Sequence, residues 1–163
     1  MSRAFVKEDA SSGEVAIPAR APLPAGIPNY VTPRGLALLQ DEHTALLNEL
    51  GVLQKLDGGP ALALVRGKLE LLEERLSSAK LVDPHTLPQD EIQIGATVTL
   101  LAGQQERRLT IVGVDEANLL EGRVAFTAPI AQTLLGRRVA EEAVLETAKG
   151  KQVLRIIKIE YAL

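Results

Sequence analysis

The sequence predicts an α+β protein: an antiparallel helical hairpin of coiled-coil type, followed by an antiparallel sheet domain with one short helix. Three observations predict it. Between Pro33 and Lys80, apolar residues recur at alternating steps of three and four, in two runs separated by Asp57-Gly58-Gly59-Pro60. From Ile92 the pattern changes to short β-rich runs broken by Gly-containing turns. Proline concentrates before Asn29 and again at Pro84 and Pro88, where regular structure is interrupted. The expected division is a flexible Pro/Ala-rich tail over 1–28, a hairpin over 29–83, a linker over 84–91 and a sheet domain over 92–163.

The tail holds Pro18, Pro22, Pro24 and Pro28 among Ala, Ser and Gly, a composition that favours extended conformers. Within it, Phe5 and Val6 could dock as a short segment. Thr32-Pro33 then makes a good helix start, because Thr caps free amides and Pro is tolerated at the first helical position. The first helix carries its seam at Leu36, Leu39, His43, Leu46, Leu50 and Leu53 and runs to about Leu56. Gly35 and Gly51 each weaken it by roughly 1 kcal/mol relative to Ala, so the seam must hold it. The second helix starts near Pro60, with Asp57 or Gly59 as its cap. Its seam is Leu62, Val65, Leu69, Leu72, Leu76 and Ala79, and it ends before Asp83-Pro84. Strict three-four spacing gives each helix one narrow apolar stripe, and the Gly-Gly-Pro break folds the two stripes together.

In the second half, Ile94–Leu101 and Arg108–Val112 flank a short Gly-containing break and read as a hairpin. Val124–Thr127 is a third strand, and Pro129–Leu135 a short helix that stops at Gly136. Ala143–Thr147 and Gln152–Ile159, on either side of Lys149-Gly150, make a second hairpin.

Composition excludes several functions. Aromatic residues are 2 % of the chain, namely Phe5, Tyr30, Phe126 and Tyr161, which leaves no platform for stacking bases. The formal net charge is −3, and neither half is basic, so free nucleic acid is not expected as a primary ligand. There is no cysteine, hence no disulfide, thiol nucleophile or zinc-thiolate site. No apolar run has the roughly 18 residues of a membrane span, so no membrane partner and a cytoplasmic location are expected. Ser77-Ser78 lack a His or Asp arrangement, and His85 has no clustered partner for a metal site. His43, at a seam position, reads as a core or edge imidazole making a local hydrogen bond, with a pH-sensitive contact as the alternative. The charged run Glu70, Glu73, Glu74, Arg75 reads as a solvated helix face.

Several segments together carry a resemblance. They are Asn29-Tyr30-Val31-Thr32-Pro33-Arg34-Gly35, Ala79-Lys80-Leu81-Val82-Asp83, Ile94-Gly95-Ala96-Thr97-Val98-Thr99, Ile111-Val112-Gly113-Val114-Asp115-Glu116-Ala117, Ala128-Pro129-Ile130-Ala131, Leu134-Leu135-Gly136 and Ile159-Glu160-Tyr161. In order and spacing these resemble the bacterial Gre transcript-cleavage factors, GreA and GreB, along nearly the whole of 92–163. The resemblance implies an FKBP-like C-terminal domain that grips RNA polymerase at the mouth of its secondary channel. It also implies a hairpin that enters the channel, where an acidic tip holds a catalytic magnesium ion and helps a backtracked polymerase cleave its RNA. The family's Gly-Asp-x-x-Glu-Asn-type tip segment is absent between Leu36 and Ala79. The hairpin is also shorter by roughly two turns per helix, about 10 Å of reach.

The tip expected here is therefore Asp57, Gly58 and Gly59, with Asp57 its one carboxylate. Magnesium is commonly held by one or two carboxylates with waters and phosphates, and no metal or other cofactor is expected on this chain. The expected polymerase contacts are Ala128, Pro129 and Ile130, a segment that by resemblance lies near the gripping face, with Ala128 where the family usually has Ser. Asp115 and Glu116 join Pro129 as expected contacts because charged and loop residues are more often exposed. No catalytic residue is assigned, and the chain is expected not to be an enzyme. The expected function is a Gre-like elongation regulator bound near the secondary channel without stimulating cleavage. The alternatives are a polymerase-binding protein like the nucleoside diphosphate kinase regulators, a residual cleavage factor acting through Asp57, and a chaperone-like peptide-binding module. Proline isomerase activity is disfavoured, because the sheet domain offers only Phe126 and Tyr161 to line a pocket.

Overall fold

Thr32 opens the first helix as a capping residue should. Its Oγ1 accepts the Gly35 amide at 2.9 Å, which satisfies one of the donors a helix start leaves free. The fold is that of a computed structural model, which describes residues 14–162. Helix α1 is Pro33–Lys55 and helix α2 is Gly59–Ser78. By its contacts the chain divides into two units, one of Leu39–Ser77 with residues 14–20, the other of Ala21–Leu38 with residues 78–162.

In the first unit the predicted seam is the buried face. Leu39, Leu46, Val65, Leu69 and Leu72 are buried, while Leu47, Val52 and Leu56, off the stripe, are exposed. His43 lies at the seam's edge and its Nε2 is 3.2 Å from Glu73 Oε2. Residues 14–20, within the expected tail, run without helix or strand but meet the hairpin at two points. Arg20 forms a two-pronged pair with Glu42 at 2.7 and 3.2 Å. Ile17 sits where a Cβ on Gly67 would stand, so the missing side chain in α2 is what admits it. The expected docking of Phe5 and Val6 falls outside the described residues.

In the second unit, strands β1 (Asn29–Val31) and β2 (Ala79–Leu81) pair in parallel at the ends of the hairpin, with Tyr30 opposite Lys80. Sequence periodicity placed Ala79 in the second helix, but the strand pair ends that helix at Ser78. Residues 84–91, expected as a linker, open with a 3-10 turn over Pro84–Thr86 capped by the Asp83 side chain, and Pro84 is buried.

The sheet domain contains β3 (Ala96–Ala102), β4 (Gln105–Val112), β5 (Arg123–Ala125), β6 (Glu142–Thr147) and β7 (Gly150–Tyr161) in the order β5-β4-β3-β7-β6. Both predicted hairpins form, β3 with β4 and β6 with β7. The sheet is antiparallel except at one edge, where β5 lies parallel to β4. There the chain returns through two 3-10 turns, Val114–Glu116 and Leu119–Glu121, before pairing. A register shift between Thr99 and Leu100 in the β3–β7 pairing, of the kind a bulge makes, leaves Ile157 partly outside. The short helix α3 (Pro129–Leu134) covers the sheet with Ala131 and Leu134, both fully buried with Val98, Leu100, Ile111, Leu154 and Ile156. The core is aliphatic, as the composition requires, with Phe126 edge-on to Tyr30 at 5.5 Å.

Tyr161 locks the end of β7 back onto residues 91–93. Its hydroxyl donates to the Glu91 carbonyl at 2.6 Å and accepts from the Gln93 amide at 2.9 Å. Burial raises its pKa above the ordinary 10.0, outweighing the Gln93 bond, which lowers it. Because the folded chain holds this proton more tightly, the stabilisation is complete below pH 10 and is lost as pH rises through the raised value. Wild type is expected to lose more stability than Tyr161→Phe between about pH 9 and 11, measured by urea unfolding. Equal losses would mean that the phenol does not govern this limb.

Candidate functional site

Two surfaces carry the residues singled out from sequence. The first is the hairpin turn. A Cβ on Gly58 would fall 2.9 Å from Leu62 Cβ and 3.0 Å from the Leu53 carbonyl, so the helices can approach only with glycine there. Gly59 takes φ +51°, a left-handed conformation that glycine accepts without a Cβ penalty. Asp57 is exposed. The expected cap is not made by it: Asp57 forms no hydrogen bond or ion pair among the described residues. It is the turn's one carboxylate, with Glu49 about two helical turns back. Gly58 and Gly59 offer no side-chain ligand, and no group of three or more metal-binding side chains occurs among the described residues. This donor set does not fit a magnesium ion held by the chain alone.

The second surface is on the sheet domain. Pro129 is exposed at the start of α3; Asp115, Ala128 and Ile130 are half-buried. Glu116 departs from expectation. Sequence reasoning took it as exposed because it is charged and lies in a loop, yet its side chain is only 4 % exposed. Its Oε2 accepts from Thr32 Oγ1 at 2.5 Å and its Oε1 pairs with Arg34 at 2.7 Å. Glu116 is thus committed to the start of α1 rather than presented outward. A Cβ on Gly35 would lie 2.7 Å from that same Oε2. The glycine that costs helix propensity is the space in which the carboxylate sits.

Above this cluster is a cleft of about 470 Å³, lined by Thr32, Arg34, His85, Thr97, Glu116 and Arg123 among others. Thr97 and Thr110 share one hydrogen bond at 2.8 Å across its floor. Arg123 Nε donates to the Glu116 carbonyl at 3.2 Å, and its guanidinium pairs with Glu121. Sequence reasoning missed both the cluster and the cleft. Thr32 lies 84 positions before Glu116, and no local pattern joins it to Glu116 or Arg123.

A helical hairpin with a glycine-built turn, continued by a curled sheet domain under one short helix, defines a class of two-part proteins. The C-terminal family profile "Transcription elongation factor, GreA/GreB, C-term" matches residues 87–161. The transcription elongation factor GreB of Neisseria meningitidis serogroup A is 31% identical over 153 residues, covering 82% of this chain and 94% of that protein. GreA of Rickettsia canadensis is 34% identical over 101 residues, which span 61% of this chain and 62% of its own. The chain belongs to the GreA/GreB family of transcription elongation factors. Among solved structures, Gfh1 (GreA factor homolog 1) of Thermus thermophilus aligns at 22% identity and TM-score 0.39, covering 80% of this chain and 97% of that one. That likeness is too loose to bear on function.

Membership corrects one expectation. The chain was expected not to be an enzyme, but its relatives are the transcription elongation factors GreA and GreB, a family that stimulates transcript cleavage. Lack of a triad or a metal cluster has no force against this. A factor that assists another enzyme's centre needs no complete centre of its own.

No helix among the described residues is long and apolar enough to cross a membrane.

Proposed function

We propose that the chain binds RNA polymerase at the rim of the secondary channel, presenting its hairpin turn to the channel and its sheet domain to the rim. The observation that carries this reading is the family match over nearly the whole of a GreB relative, hairpin and sheet domain included. The exposed Asp57 turn and the exposed Pro129 at the start of α3 support it, since both are free to meet a partner. Ala128 and Ile130 flank Pro129 in the chain and Asp115 is a further contact of this reading, whereas Glu116 is taken up by Thr32 and Arg34.

With one carboxylate at the turn, cleavage stimulated by this chain runs below that of a factor with an acidic pair. The test uses backtracked elongation complexes, this protein, and a GreB protein in competition. The expected result is competition: total cleavage falls as this chain displaces the stronger factor, and its own stimulation drops further in Asp57→Asn. Unchanged cleavage by the competitor at saturating concentrations of this chain would overturn the channel reading.

A further inference from the structure

Leu119 and Leu120 are the most exposed large apolar side chains among the described residues, at 80% and 98%. They stand side by side on the turn between β4 and β5, and this turn is rigidly built. The Asn118 side chain accepts the Leu120 amide at 3.1 Å. The Asn118 carbonyl accepts the Glu121 amide at 3.1 Å, and Asn118 and Arg123 exchange two backbone bonds at 2.9 Å. Gly122 closes the turn at φ +74°, donating to the Leu119 carbonyl at 3.1 Å. The leucines therefore project from a fixed frame and would lose little freedom on docking.

We propose that Leu119 and Leu120 form an apolar anchor that seats in a hydrophobic pocket of RNA polymerase, as a second contact of the sheet domain; this rests on the polymerase reading above. Three observations select that occupant. The turn leads into the edge strand β5 and Pro129 follows shortly after the strand's end, so the two flank that strand in the chain. The strand itself is short, roughly 10 Å at about 3.3 Å per residue, so it does not by itself carry the two beyond the breadth of one protein interface. Two leucines fall far short of the roughly 800 Å² per partner of a stable interface, so they suit an anchor within a larger contact better than a self-sufficient dimer. The surrounding charges are paired, Glu121 with Arg123 and Arg108 with Glu160 at 3.5 Å, which gives a polar rim around an apolar centre. An acidic neighbour, Glu121, and the lack of lysine in the turn Asn118–Gly122 argue against an anionic lipid surface.

The test is the affinity of the full chain for purified RNA polymerase, compared with Leu119→Ser/Leu120→Ser and, as a control on the opposite edge strand, Val144→Ser. The double variant is expected to melt close to wild type, since the leucines bury little in the fold, yet bind at least about 10-fold more weakly through faster dissociation. Val144→Ser is expected to bind as wild type. Undiminished binding by the double variant, with wild type binding well, would overturn the anchor and leave the channel reading standing. Failure of wild type to bind would overturn both. A wild-type dimer dissolved by the double variant at unchanged polymerase affinity would assign the anchor to a second copy and overturn the proposal.

Discussion

Gly113→Ala is expected to lower the unfolding free energy by about 3 kcal/mol, the upper part of the range for an added methyl with no room. Gly113 has φ −71°, a backbone that any residue adopts, so the requirement is one of space. A Cβ there would stand 2.5 Å from the Tyr30 carbonyl oxygen and 3.5 Å from Val31 Cα. The obstacle is backbone, which cannot rotate aside as a side-chain tip would. To admit the methyl, β1 must shift away from the end of β4. That strains the parallel pairing of β1 with β2, the bond from the Val82 amide to Val31 at 2.8 Å and the edge-on contact of Tyr30 with Phe126. Urea unfolding at unchanged slope would read the loss as a lower midpoint, and amide exchange at Val31 and Val82 should accelerate. Loss below about 0.5 kcal/mol would mean that β1 yields without cost.

Glu116→Ala is expected to cost about 2–3 kcal/mol, chiefly by leaving the buried Thr32 hydroxyl without its acceptor. Arg34 adds little to that figure. Its side chain is 53% exposed and can return to water when its partner is removed. Glu116→Gln keeps the shape and one acceptor for Thr32 but turns amide hydrogens toward Arg34 or loses that contact, so about half the cost is expected. Urea unfolding of both variants, with Arg34→Ala as the third corner, apportions the effect. If Arg34→Ala proved as costly as Glu116→Ala, the ion pair rather than the buried hydroxyl would be the main support. Polymerase binding by the Glu116 variants should follow their stability, since the carboxylate does not face outward.

The contrast between Glu116 and Pro129 shows where reading from sequence ends. Both were chosen as exposed loop residues, and only Pro129 is exposed. Nothing in Val114-Asp115-Glu116-Ala117 tells that Thr32 and Arg34 arrive above the third of these residues, because burial of a charge depends on partners brought from elsewhere. Gly35 is a parallel case. By propensity it reads as a weakness in α1; in three dimensions it is the gap that lets Glu116 reach the helix start. Leu119 and Leu120 lay unremarked in a stretch with no periodicity, since near-complete exposure belongs to the folded surface and leaves no local mark.

The chain's own order of residues determined the helical hairpin, its seam, the Thr32 cap, the two strand hairpins and the short helix, because each rests on spacing within a few residues. It also carried the family match, through short segments in fixed order. Only the tertiary structure decided the parallel edge strand β5, the β1–β2 pair that ends α2, the Thr32–Glu116–Arg34 cluster with its cleft, and which loop side chains remain for a partner. These depend on contacts between residues from 13 positions apart, as in Thr110 with Arg123, to 84, as in Thr32 with Glu116, and pairing across such distances is set by the packing of the whole domain.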